Sequence, residues 1–177
     1  MKEEIRLTGS GGQGVILASV ILAEAAVLNG QNAAQSQAYG PEARGGACKA
    51  EVVISDETIR FGKVITPSFL LALNQKAADQ YAAGVSPETI IMLDDSLTTP
   101  AGLENNRVIR LPIIETAREK VGRLVTANIV AVGAINNVLK ICDNETLFEA
   151  VKMHIPRGTE EINLKALSEG EKLGGQL

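Results

Sequence analysis

The chain has 177 residues, 45% apolar and 21% charged, with a net charge of −4. That length supports one α/β domain with a sizeable core, and the ordinary apolar content at low net charge excludes a disordered chain. With 17 basic against 21 acidic residues, three Phe, two Tyr and no Trp, it lacks both the electrostatic footprint and the stacking platforms of a nucleic-acid binder.

Met1-Lys2-Glu3-Glu4 does not resemble the basic start of a secretory signal. Ile5-Arg6-Leu7-Thr8 alternates and is stopped by glycine, which predicts a strand. The glycine-rich Gly9-Ser10-Gly11-Gly12-Gln13-Gly14 follows, then a helical run from Val15 to Leu28, stopped by Asn29-Gly30. This run is the longest apolar stretch and falls short of the ~20 residues needed to span a bilayer. It carries only Ser19 and Glu24 as polar residues, so it needs cover on more than one side. A partner chain is the expected cover, and the isolated chain is expected to self-associate as a dimer through the same surface.

Residues 31–46 read as a polar loop. Lys49 to Ile54 is the next predicted strand, with Ser55-Asp56-Glu57 as a turn and Thr58 to Phe61 as the return strand of a hairpin. Ser68 to Leu73 is a short apolar run that fits either a strand or a helix start, and Asn74 is a credible N-cap for a helix through Ala83. Thr89 to Leu93 and Arg107 to Leu111 read as buried strands. The closing third reads as helices over Glu115 to Arg123, Ala127 to Ile141, and Glu145 to His154, the last capped by Asn144. From Glu160 a short charged helix fades into Gly174-Gly175. The whole is one domain, 1–177, with a core over 4–154 and a tail over 155–177. Strands alternating with helices predict a Rossmann-like, mostly parallel but mixed sheet with helices on both faces.

Gly9, Gly11 and Gly14 satisfy G-x-G-x-x-G between a predicted strand and a predicted helix. Glycines let backbone approach a phosphate, and a helix N-terminus presents free N–H groups and partial positive charge. A ribose-binding acid should follow ~20 residues on, yet Gln31, Asn32, Gln35, Ser36 and Gln37 stand there. Nor does a Walker lysine follow Gly14. A structural turn, a phosphate-bearing ligand and a dinucleotide stay open, with the missing acid against the last. Gln13 stands out as a polar amide at the rim of the turn. In Tyr39-Gly40-Pro41-Glu42-Ala43-Arg44-Gly45-Gly46, Arg44 is a fork for a carboxylate or phosphate, with a solvated loop as the alternative.

No catalytic set emerges. His154, the sole histidine, falls in the last turn of a helix, where it complements the dipole. Asp94-Asp95-Ser96 is a turn or a paired-carboxylate metal site at a strand end, the turn being favoured. Cys48 and Cys142 read as free, reduced thiols, too few for an iron–sulfur or four-cysteine zinc site. A cytoplasmic location follows by default.

Gly9-Ser10-Gly11-Gly12-Gln13-Gly14-Val15, the run Ser36 to Gly46 and Thr126-Ala127-Asn128-Ile129-Val130-Ala131-Val132-Gly133 together resemble the gamma subunit of 2-oxoacid:ferredoxin oxidoreductases. Leu71-Ala72-Leu73-Asn74-Gln75 fits as well. The wording is nearest to the 2-oxoglutarate branch. Gly40-Pro41-Glu42 argues against the indolepyruvate branch, and the pyruvate and branched-chain 2-oxoacid branches remain open. The resemblance implies partner alpha and beta subunits, in some complexes a delta subunit, and ferredoxin as electron acceptor. It implies thiamine diphosphate and iron–sulfur clusters on those partners, with coenzyme A received at the edge of this chain. It places Gly9, Gly11, Gly12, Gln13 and Gly14 near coenzyme A, with Asn128 second. Tyr39, Glu42, Arg44, Gly45 and Gly46 fall at an interface or at the site's edge. It gives this chain no catalytic group and no metal. A free-standing Rossmann-type dinucleotide oxidoreductase is the alternative.

Overall fold

The computed structural model describes residues 2–38 and 47–176. Strand β1 spans Lys2–Ser10, and its alternation sets Ile5 and Leu7 in one core while Arg6 and Thr8 face the other side. Helix α1 (Val15–Leu28) has the boundaries its sequence predicts, with Gly30 at φ +82 just past its end. Then come β2 (Asn32–Ala38), β3 (Ala47–Ser55), β4 (Phe69–Ala72), α2 (Gln75–Tyr81), β5 (Ile90–Asp94) and β6 (Val108–Leu111). The sheet order is β2-β3-β1-β4-β5-β6. β1, β4, β5 and β6 run parallel, and β3 runs antiparallel to both β1 and β2.

Two cores sandwich this sheet. On one face Leu7, Val52, Phe69, Leu71 and Met92 meet α1 and the closing helices. On the other, Leu70, Ala72, Ile91 and Leu93 meet Ala78 of α2 and Ala82 at its C-cap, with Leu97 and Leu103. Helices thus cover both faces of a mixed α/β sheet, as expected.

Two strand expectations need correction. The polar stretch 31–46 contains β2, paired residue for residue with β3 from Asn32↔Ser55 to Ala38↔Lys49. Conversely, Thr58 to Phe61 is not a return strand, because β3 already has β1 on one side and β2 on the other and offers no free edge. The chain after Ser55 instead crosses the sheet. Val64 O accepts from Arg6 (3.4 Å) and Ile65 N–H donates to Glu4 Oε2 (3.0 Å). The hairpin is therefore β2–β3, with β3 also antiparallel to β1, and not a pair over 49–61.

Asn74 caps α2 by accepting from Ala77 N–H at 2.7 Å. After β6, α3 (Ile113–Glu115) runs into a π-helical turn, Thr116–Val121, closed by Gly122 at φ +89. This replaces the predicted helix Glu115 to Arg123. Helix α4 spans Ala127–Leu139, and α5 spans Asn144–His154. The cap of α5 is Asp143, which accepts from Thr146 N–H at 2.8 Å; the sequence reading put Asn144 there, one residue late. The stretch 155–177, read as a tail, holds α6 (Glu160–Gly174), whose Ala166, Leu167 and Leu173 are buried in the main core.

Candidate glycine-turn site

The turn leaves β1 at the carboxyl ends of the parallel strands, where α/β ligands gather. Gln13 N–H donates to Ser10 O at 3.1 Å, and Gly12 has φ +93. A positive φ at the third residue of such a turn demands glycine. Gln13 is not a free rim amide. Its Oε1 accepts from Ser10 N–H (2.7 Å) and its Nε2 donates to Leu73 O (3.0 Å). One side chain thus ties the turn to itself and to the end of β4, which no alanine could do. Asn128, buried at the start of α4, donates from Nδ2 to Gly14 O at 3.3 Å.

Gly14 is the N-cap of α1, at φ +72, with no side-chain cap. The main-chain hydrogen bonds of α1 begin with Ala18 N–H to Gly14 O (3.0 Å), so the N–H groups of the first turn point out of the helix unpaired. That end carries partial positive charge and suits an anion. Two cavities flank the turn. One, of about 540 Å³, is lined by Ser10, Gly11, Ile16, Leu17, Val20 and Cys48 among others. The second, of about 450 Å³, is lined by Gln13, Ile114, Leu124, Val125 and Ala127. Gly12 lines both. Leu124 and Val125 are 52% and 71% exposed at the rim of the second cavity. The structure brings Gly9, Gly11, Gly12, Gln13, Gly14 and Asn128 together; Tyr39, Glu42, Arg44, Gly45 and Gly46 lie outside the described residues.

The dinucleotide alternative fails on topology as well as on the missing acid. In such folds the strand after the first helix sits beside β1 and carries the ribose acid at its end. Here β3 separates β2 from β1, and the parallel neighbour of β1 is β4, which leads into Leu73 and Asn74.

The remaining candidates are engaged in structure. Asp94 is buried; its Oδ2 accepts from Ile114 N–H (2.8 Å) and its Oδ1 from Ser96 N–H (3.1 Å) and the Ser96 hydroxyl. It is a turn-forming carboxylate. His154 Nε2 lies 3.3 Å from Glu24 Oε2, linking α5 to α1. No group of three or more His, Cys, Asp or Glu suited to a metal occurs among the described residues. Burial pushes the Cys142 thiol up to about 11, helped by Asp143 and Glu171, and burial raises that of Cys48 too. At pH 8 only ~0.1% of Cys142 is then thiolate. A chromogenic disulfide reagent is expected to titrate Cys142 in the folded protein at least tenfold more slowly than after denaturation. Equal rates would mean that the thiol is not held in its half-buried place between α4 and α5. Among the described residues no helix is long and apolar enough to cross a membrane.

Comparison with known proteins places the fold in context. The pyruvate ferredoxin/flavodoxin oxidoreductase family model matches residues 4–173. The 2-oxoglutarate synthase subunit KorC of Methanocaldococcus jannaschii is 43% identical, covering 100% of this chain and 96% of that protein. KorC of Methanothermobacter marburgensis is 41% identical, covering 98% and 97%. The crystal structure of a keto/oxoacid ferredoxin oxidoreductase gamma subunit from Geobacter sulfurreducens superposes with TM-score 0.89 at 40% identity, covering 99% and 98%. A 2-oxoglutarate:ferredoxin oxidoreductase from Magnetococcus marinus, with 2-oxoglutarate, coenzyme A and succinyl-CoA bound, shares the fold at TM-score 0.89 and 24% identity. This chain covers 31% of that longer one. Full-length identity above 40%, the family match and the superposed gamma subunit converge: the chain belongs to the pyruvate ferredoxin/flavodoxin oxidoreductase family, as a gamma-type subunit of a 2-oxoacid:ferredoxin oxidoreductase.

Proposed function

We propose that this chain is the gamma subunit of a 2-oxoglutarate:ferredoxin oxidoreductase and supplies a coenzyme A-binding edge and a subunit interface rather than catalytic groups. The observation that carries the substrate class is end-to-end similarity to two 2-oxoglutarate synthase subunits at 43% and 41% identity. The coenzyme A reading is supported by the glycine turn. It offers main-chain N–H groups and a helix N-terminus to a diphosphate, with apolar cavities beside it for an uncharged arm. The bound coenzyme A of the Magnetococcus enzyme supports it further.

The interface reading rests on apolar surface. Ile16, Leu17, Val20 and Ala23 of α1 are half-buried and Val27 and Leu28 are exposed, while the opposite side packs on the sheet, α4 and α5. In the longer relatives the domain is part of a larger polypeptide, this chain spanning 38% of a ketoisovalerate oxidoreductase subunit VorA. The partners here are alpha and beta subunits, with or without delta, and a cytoplasmic complex follows. Thiamine diphosphate and iron–sulfur clusters on those partners supply the decarboxylation and the electron path to ferredoxin. The residues of this chain bind and orient the acyl acceptor and exclude water from one side of it.

Affinity isolation of the chain from its own cells tests this, with the eluate assayed for viologen reduction by 2-oxoglutarate and by pyruvate in the presence of coenzyme A. Larger subunits, brown absorbance and 2-oxoglutarate-dependent activity are expected. Activity with pyruvate alone would move the assignment to the pyruvate branch. A chain that elutes alone and inactive would overturn the reading.

A further inference from the structure

The four glycines of the turn divide by what a Cβ atom at each would meet. At Gly9 it would lie 2.7 Å from Gln13 Oε1, and at Gly14 2.6 Å from Asn128 Nδ2. Those glycines make room for two amide side chains. At Gly11 and Gly12 a Cβ would meet nothing within 4 Å. Gly12 still needs to be glycine, because its φ is +93; Gly11 has no positive φ. Nothing among the described residues therefore requires glycine at position 11, where glycine carries an entropic cost.

We propose that Gly11 is the point of closest approach for the phosphate-bearing acyl acceptor, and that Gln13 and Asn128 are positioning residues whose amides are spent on holding the turn open toward it. The inference rests on the coenzyme A reading above. It goes further by separating contact from support within the motif. Gln13 accepts from Ser10 N–H by its side chain and donates to Ser10 O by its main chain. It thereby uses up both polar main-chain groups of the residue before the crest. Asn128 engages the carbonyl of Gly14. With these inward groups satisfied, the crest of Gly11 and Gly12 is exposed, with Gly11 lining one flanking cavity and Gly12 lining both. A methyl group at position 11 meets none of the described residues within 4 Å and stands in the ligand's path.

The test uses the complex assembled with its partner subunits, comparing wild type with Gly11→Ala and Gly11→Val. Coenzyme A binding is read by calorimetry and its KM by viologen reduction. The expected result is an unchanged or raised Tm together with a Kd and a KM for coenzyme A raised about tenfold for Ala and more for Val. Gln13→Leu is expected to raise KM while lowering Tm, and Gln13→Glu to restore part of both if its carboxylate recaptures Ser10 N–H. Unaltered coenzyme A binding in Gly11→Val overturns the inference but leaves the functional reading standing. A wild-type complex that neither binds coenzyme A nor requires it overturns both.

Discussion

Gly170→Ala is expected to destabilise the protein by about 3 kcal/mol, even though it replaces a glycine within a helix. In an uncrowded helix the same change stabilises by up to ~1 kcal/mol, because alanine has less conformational entropy to lose. Here α6 lies on α4 backbone against backbone. A Cβ at Gly170 would fall onto the carbonyl group of Val130, with its carbon 2.8 Å away. At Gly174 it would meet Ala134 O at 2.8 Å, and at Gly133, on the facing helix, Glu171 N at 2.9 Å. The obstacles are main chain, which cannot rotate aside, so the helices must separate and Ala166, Leu167 and Leu173 lose their packing. Urea denaturation is the measurement: a lower midpoint at an unchanged slope is the expected outcome. A neutral or stabilising result would mean that residues 160–174 are an appendage, as their charge suggests, and not part of the core.

That helix also shows where sequence reading stops. Glu160, Glu161, Lys165, Glu169, Glu171 and Lys172 dominate its composition, but the buried positions Asn163, Ala166, Leu167, Gly170, Leu173 and Gly174 fall at three- and four-residue intervals. The apolar positions do segregate to one face, but the sequence does not show that Gly170 and Gly174 within that face let α6 lie directly on the backbone of α4. β2 failed to read as a strand for a related reason. Asn-Ala-Ala-Gln-Ser-Gln-Ala has little β-propensity, and pairing with β3 alone makes it extended; tertiary context overrides propensity in sheets. The alternation of Thr58 to Phe61 misled in the opposite direction, since no free edge exists for it. By contrast β1, the glycine turn and both ends of α1 were legible, because turn, helix start and helix stop each carry their own local chemistry. The site was legible as residue types but not as roles. The sequence shows Gln13 as an amide, and only the positions of Ser10 N–H and Leu73 O reveal that both ends of that amide are occupied.

Gly14→Ala is the counterpart of Gly11→Ala, and it is expected to destabilise by about 3 kcal/mol while abolishing tight coenzyme A binding in the assembled complex. Two effects add. An alanine at φ +72 costs ~1–2 kcal/mol in the left-handed region, and its methyl would displace the Asn128 amide, stranding a buried polar group at ~1–3 kcal/mol. A double-mutant cycle separates them. Asn128→Ala alone removes one donor from Gly14 O, which keeps Ala18 N–H as a partner, and should cost about 1 kcal/mol. In Gly14→Ala with Asn128→Ala the clash is gone while the backbone strain remains. The pair should therefore be less destabilising than the sum of the single changes by at least ~0.5 kcal/mol, the coupling expected for residues in contact. Strict additivity would mean that Asn128 does not press on Gly14, and the division of the glycines into supporting and contacting positions would then lose one of its two anchors. Binding adds a second axis. Position 14 should lose stability and ligand together, whereas position 11 should lose ligand alone, because only the first is fixed from inside the chain.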